Sequence, residues 1–317
     1  MGALALVSAV GLVVDDRVLV GAPIWAKPFK FSVSFIAYAL SLAWMLSLLP
    51  RGRRTGWWAG TVVAVASAVE MVLITLQVVR GTRSHFNQAT PFDNTVFQIM
   101  GGTVAVLWLG ALVIALLLLR ARILDRAMAW TVRLSSLIAL AGAGVGFLMV
   151  SPTPEQLATD NPPIVGAHSV GVPDGGPSMP VTGWATTGGD LRVAHFFGMH
   201  ALQLLPLVLL VLAALAARSA RSPRLARLAR LADERVRLRL ALTASAAYAA
   251  TFALLTWQAL RGQALLAPDG ATLAGAGAIV LLGVAATALS LRPTPGGPSP
   301  SPSPPTSPAS PTEEIAA

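Results

Sequence analysis

Apolar stretches separated by short polar segments dominate the chain, and their lengths predict its elements. Phe31–Leu49, Trp57–Val79, Val96–Leu119, Ala127–Val150, Val193–Ala217, Leu240–Ala259 and Ala271–Leu291 each approach or exceed the roughly 20 residues that carry a helix across a bilayer core about 30 Å thick. No stretch shows the alternation of a half-buried strand. Gly2–Val14 is apolar but short, and Asp15, Asp16 and Arg17 follow at once. Met1–Leu4 carries no basic residue and no small-x-small cleavage site follows, so the segment is read as a short first span kept in the mature protein rather than a signal peptide. The expectation is an all-α polytopic bundle of seven or eight spans over residues 1–292.

Composition closes the other routes. Of 317 residues, 55% are hydrophobic and 12% charged, about half the charge of an ordinary soluble domain, too little to cover a water-facing surface. The absence of cysteine excludes a disulfide-stapled domain, a cysteine-ligated metal centre and a cysteine nucleophile. Two tyrosines and unbroken apolar runs do not fit the aromatic girdles and alternating strands of an outer-membrane barrel.

The charges orient the spans. With a cytoplasmic N-terminus, fifteen arginines fall inside and seven basic residues outside, leaving out Arg133 within a span. The bias places both termini in the cytoplasm and the protein in the cell membrane. It also accounts for the net charge of +9 without a nucleic-acid partner, since no basic stripe interleaved with aromatics is present. Eight of those arginines lie in Arg218–Arg239, where Ser222-Pro223 reads as a helix start. Leu225, Leu228 and Leu231 then alternate with Arg224, Arg227 and Arg230. The segment is either an amphipathic helix on anionic lipid or a solvated loop. Pro293–Ala317, rich in Pro and Ser and ending near Glu313 and Glu314, is expected to be disordered. The Gly/Pro-rich loop Ser151–Leu191, with Glu155, Asp160, His168, Asp174 and Asp190, is either a lid over the outer face or a loose connection.

Candidate chemistry gathers toward the outer half. Glu70 lies well inside a span, and an ionisable group there is a functional candidate by default. Gln77 follows on the same helical face, then Arg80, Arg83, Ser84, His85, Asn87 and Asp93. If the helix persists past Gly81, Ser84 shares that face too. Asp93 and Asn94 could cap the next span, and Asp93 could instead serve as a base. A second cluster, Asp190, Arg192, His195 and His200, opens the sixth span, counting Gly2–Val14 as the first; two histidines five residues apart do not form the i, i+4 pair of a helical zinc motif. Trp25, Lys27 and Lys30 lead into the second span, an interfacial anchor or part of the same pocket.

Trp25-Ala-Lys-Pro-Phe-Lys-Phe31, Arg80-Gly-Thr-Arg-Ser-His-Phe-Asn87 and His195-Phe-Phe-Gly-Met-His200 resemble blocks of uncharacterised bacterial multi-pass membrane proteins. The resemblance implies integration in the cell membrane and no activity. Haem A synthase-like proteins carry paired ligating histidines in both halves, whereas the last two spans here have none. Ceramidase-like hydrolases use an H-x-x-x-H pair, one residue shorter than His195 to His200. Three readings stand on the residues themselves. His85 with His195 or His200 could ligate one haem b, with Arg80, Arg83, Arg192, Lys27 or Lys30 holding its propionates. His85, His195 and His200 could bind zinc, with Glu70, Asp93 or Asp190 as general base of a membrane hydrolase. Glu70 could instead be the coupling group of a proton-coupled transporter or a small-molecule sensor.

Overall fold

A computed structural model describes residues 1–219 and 229–292; the expected basic helix, except for Arg230 and Leu231, and the Pro/Ser-rich tail lie outside the described residues. The chain is all-α, and among the described residues seven helices are long and apolar enough to cross a membrane. They are α2 (Ala26–Ser47), α3 (Arg53–Val79), α4 (Pro91–Arg120), α5 (Arg126–Met149), α8 (Ala201–Ser219), α9 (Glu234–Leu260) and α10 (Gly270–Ser290). α1 (Gly2–Val14) has 13 residues, about 20 Å at 1.5 Å per residue, short of a bilayer core. It packs on α2 through Ser8 and Gly11, and a side chain at Gly11 would collide with the Trp25 ring.

Short connections make the helices alternate in direction, so the molecule has two distinct ends. At one end α5 and α9 open on the aspartate N-caps Asp125 and Asp233, whose carboxylates accept from the backbone two or three residues on. Arg237 reaches Asp125 at 3.3 Å, and Arg133 donates to the Ala121 carbonyl at 2.9 Å at the end of α4. The arginine inside a span thus serves the orphan carbonyls of a helix terminus. A core of Leu42, Met45, Val63, Ile114, Leu118 and Val132 fills this half.

The opposite end is closed by the loop 151–191, which folds over the bundle. A four-residue helix α6 (Pro154–Leu157) starts on a capping box between Thr153 and Gln156. Gln156 also clasps Gly166 through its backbone N–H and C=O, at 2.8 and 3.0 Å. Val165 donates to Phe86 at 2.9 Å and Gln88 to Pro163 at 2.8 Å, stitching the loop to the α3–α4 connection. Strands β3 (Ser169–Val170) and β4 (Gly189–Asp190) pair antiparallel and lead into α7 (Leu191–Met199). A small hairpin of β1 (Val18–Leu19) and β2 (Ala22–Pro23) joins α1 to α2 beneath it.

One helix ends where the span reading put it, and one expected span is divided. α3 stops at Val79: Gly81 takes φ +73°, Thr82 donates to Gln77 and Gly81 to Val78, a Schellman ending that a residue with a Cβ resists. Ser84 therefore reaches the site by a loop, not along the helix face. The single span expected over Val193–Ala217 is broken at His200 into α7 and α8. Pro206 inside α8 has no N–H to give the Leu202 carbonyl, which weakens the helix close to the break.

Candidate functional site

The site begins with a carboxylate in the middle of an apolar helix. Glu70 of α3 is 1% exposed, beside Met71, Ile74, Val96 and Met100. Its Oε2 accepts from Thr103 Oγ1 of α4 at 3.0 Å, while Oε1 has no hydrogen-bond partner. A buried polar atom left unpaired is costly and marks a place where a proton, ion or ligand belongs. Beside it lies the imidazole of His85, whose Nε2 is 3.7 Å from Oε1.

His85 is held from its other nitrogen. Nδ1 lies 3.0 Å from Lys27 Nζ at the start of α2 and 3.1 Å from Ser84 Oγ. An ammonium only donates, so a charged Lys27 makes Nδ1 the acceptor and leaves the ring proton on Nε2, facing Glu70. Phe31 and Phe86 pack edge-on against the ring, with centroids 6.2 and 6.0 Å away. Phe86 itself sits at φ +65°, a conformation that costs a bulky residue energy and is kept where the surroundings impose it. Burial, then the charge of Lys27 and that of His168, hold the His85 pKa well below the usual imidazole value.

The loop brings a second imidazole to the other face of Phe86, His168, at 4.8 Å between centroids. Its Nδ1 lies 2.8 Å from Asp174, which also accepts from the backbone of His168 and Ser169. Burial lowers the His168 pKa against the opposing hydrogen bond to Asp174. Asp174 is held below the carboxylate range: burial raises it, but His168 and the two backbone donors outweigh that.

The remaining candidates divide into clamps and bystanders. Asp93 is not the helix cap; Thr90 is, with Pro91 in the first helical position. Asp93 Oδ1 accepts from Gln77 at 2.8 Å and from Arg80, and Oδ2 from the Thr90 hydroxyl at 2.7 Å. With both oxygens taken, it ties the end of α3 to the start of α4 instead of offering a free base. Asp93→Ala strands Arg80 and Gln77 and is expected to cost about 2 kcal/mol of stability, below the range for a fully buried pair because Arg80 keeps contact with solvent; a drop in the thermal unfolding midpoint of the purified protein checks it. Arg83 enters through its backbone carbonyl, which accepts from Gln77 and Asn87. Arg192 is bound to Asp190 and to the Gly183 carbonyl, and Lys30 donates to the Thr182 carbonyl at 3.1 Å.

The three histidines of the zinc reading are not gathered as a metal-binding group. His195 Nδ1 lies 2.8 Å from the Gly142 carbonyl, in the contact between α5 and α7. His200 Nδ1 lies 3.2 Å from Gln203, whose amide donates to Ser41 of α2 at 3.0 Å. Among the described residues no group of three or more His, Asp or Glu side chains is arranged to hold a metal ion. Thr103, Gln203 and the partnership of His168 with Asp174 went unnoticed in the sequence. A lone threonine in an apolar helix carries no signal, and loop residues have no period.

Comparison with protein-family models, curated proteins and solved structures returns no match, so function has to be read from this chain's own geometry. That geometry defines a multi-pass helical membrane protein with one buried, connected set of ionisable groups beneath its covered end.

Proposed function

We propose that the protein moves or senses a solute in step with a proton, and that Lys27, His85 and Glu70 are the proton-carrying groups. The observation that supports this best is the placement of His85 between an ammonium at 3.0 Å and a buried carboxylate at 3.7 Å with an orphan oxygen. Such a chain passes a proton with small movements, because each member changes the favoured state of the next. Asp93, Arg80 and Gln77 hold the two helices that frame Glu70. The charge bias along the sequence puts the lidded end outside the cell and the arginine-rich end in the cytoplasm, and α1 stays with the bundle as a short first span.

The haem and zinc readings draw less support. Both use His85 as a ligand, and here its two ring nitrogens face protein partners. His195 and His200 use Nδ1 for protein contacts, and neither ring has a hydrogen bond to Lys27, His85 or Glu70 among the described residues.

Nitrogen NMR of the protein labelled at histidine tests the proposal. His85 is expected to stay neutral, with its proton on Nε2, well below the pH at which a free imidazole charges, and Lys27→Met is expected to remove that tautomer preference. An imidazole that charges at its ordinary pH and ignores Lys27→Met contradicts it.

The same shift predicts a pH dependence of stability. Lys27 from α2, Glu70 from α3, Ser84 from the connection and His168 from the loop all face His85. Because its pKa is depressed on folding, the unfolded chain takes up more protons below about pH 6.5, and stability falls as pH drops through that value. The thermal unfolding midpoint is expected to fall between about pH 7.5 and 5. In His85→Gln the slope is expected to be shallower, with the part due to His168 remaining.

A further inference from the structure

Several carboxylates at the lidded end already hold a cation or backbone donors. Asp93 takes Arg80, Asp190 takes Arg192, Asp15 takes Arg17, and Asp174 takes His168 and two backbone N–H groups. Besides Arg83 in the α3–α4 connection, Lys27 and Lys30 are left: among the described residues neither has a carboxylate within ion-pair distance. They stand three residues apart on one face of α2. Lys27 reaches only the imidazole of His85. Lys30 reaches only backbone carbonyls, those of Val181 and Thr182 at 3.5 and 3.1 Å, and Arg192 Nη2 donates to the next carbonyl along, Gly183, at 2.6 Å.

The turn 181–183 thus presents three consecutive carbonyls to cations from α2 and α7. It does so in a strained shape. Val181, β-branched, takes φ +68° and Gly183 +70°, and the hydroxyl of Thr182 is buried with no partner. Carbonyl dipoles are a weak substitute for a full negative charge beside two ammonium groups and a guanidinium.

We propose that Lys27, Lys30 and Arg192 form a binding site for a small oxyanion, a carboxylate or phosphate group, that the turn Val181–Gly183 covers and vacates when the anion binds. This rests on the proton-coupled reading and gives its solute a charge class. Lys27 is the shared member: an anion that draws its ammonium away from His85 Nδ1 alters the proton held between His85 and Glu70. Arg192 keeps Asp190 as a partner, so the anion is held mainly by the two lysines.

The test uses the full chain in detergent and in nanodiscs, with inorganic phosphate and acetate as probes against chloride at matched ionic strength. Trp184 reports on the turn, since its carbonyl accepts from Met179 at 2.8 Å and its ring packs on Phe196; the signal is the fluorescence lost in Trp184→Phe. A saturable change with phosphate or acetate is expected, weakened at least tenfold in Lys30→Gln, retained in Lys30→Arg, and untouched by Arg53→Gln at the opposite end. If the change appears on adding phosphatidylglycerol to phosphatidylcholine nanodiscs with no free anion present, and Lys30→Gln removes it, the oxyanion is a lipid headgroup. A response no greater than that to chloride with all three, or one equal in Lys30→Gln and wild type, overturns the proposal. Titration of Glu70 in the wild-type chain, with Glu70→Gln as the blank, separates the two claims. Phosphate binding that persists while Glu70 shows no titration sinks only the proton reading. A titrating Glu70 in a chain that binds no oxyanion sinks only the site.

Discussion

Glu70→Gln is expected to abolish proton-linked activity while leaving the fold intact. The amide has the shape of the carboxyl, and its oxygen still accepts from Thr103, which donates to Glu70 at 3.0 Å. A neutral amide is also cheaper to bury than a carboxylate, so the thermal unfolding midpoint should hold or rise. What disappears is the group that gains and loses a proton opposite His85. In proteoliposomes with a pH-sensitive dye inside, solute-dependent proton entry should fall to the level of empty vesicles. Glu70→Asp keeps the acid but shortens its reach toward an imidazole already at 3.7 Å, so partial activity is expected. Wild-type proton entry in Glu70→Gln would assign the carboxylate a structural role.

Gly198→Leu is expected to be among the most damaging substitutions in the bundle, by a different route. α5 and α7 touch backbone to backbone where Gly142 meets Gly198. A Cβ on Gly198 would sit 2.5 Å from the Gly142 Cα and 2.8 Å from the Phe252 ring. A flexible side chain could yield, but a helix backbone cannot without moving the helix. Overpacking commonly costs 1–3 kcal/mol, and a contact against main chain belongs at the upper end, about 3 kcal/mol. Separating α5 from α7 also breaks the 2.8 Å contact of His195 with the Gly142 carbonyl and shifts the start of α7, where Arg192 grips the lid. Loss of a monodisperse folded fraction in detergent, with Gly277→Leu on open α10 as the harmless control, is the expected outcome; a side chain at Gly277 meets nothing within 4 Å.

The sequence made the helical membrane class plain, because sustained hydropathy over about 20 residues has few other physical explanations. It was less informative where polar residues lie inside helices. α2 begins at Ala26, well before the apolar run that opens at Phe31, since Lys27 and Lys30 occupy its first turns and lower the local hydropathy. α4 begins at Pro91, and the Thr90-Pro91-Phe-Asp93 pattern was a legible start signal that the capping reading of Asp93 displaced. Gly81 was legible as a helix end in the same way. The break at His200 was not, because Pro206 alone does not say where a helix will part.

Of the site, Glu70 and His85 stood out as ionisable residues in or beside a span. Their pairing did not, since it depends on a loop returning from a Schellman ending and on Lys27 arriving from another helix. The grouping of His85 with His195 and His200 came from their shared position toward the outer half of the bundle; helix packing gives each a different hydrogen-bond partner. Likewise, the role of the loop 151–191 rests on pairings between residues far apart in sequence, such as Val165 with Phe86, which no local pattern announces.

The central claim is that Glu70 and His85 hold one proton system. Infrared difference spectroscopy of the full chain in lipid, stepped through pH, reads both groups at once. The account predicts a titrating carboxyl band, lost in Glu70→Gln, accompanied by a shift in the band of the neutral His85 ring, lost in His85→Gln, with each altered by removal of the other. A carboxyl band that survives Glu70→Gln, or two bands that titrate independently, would contradict it.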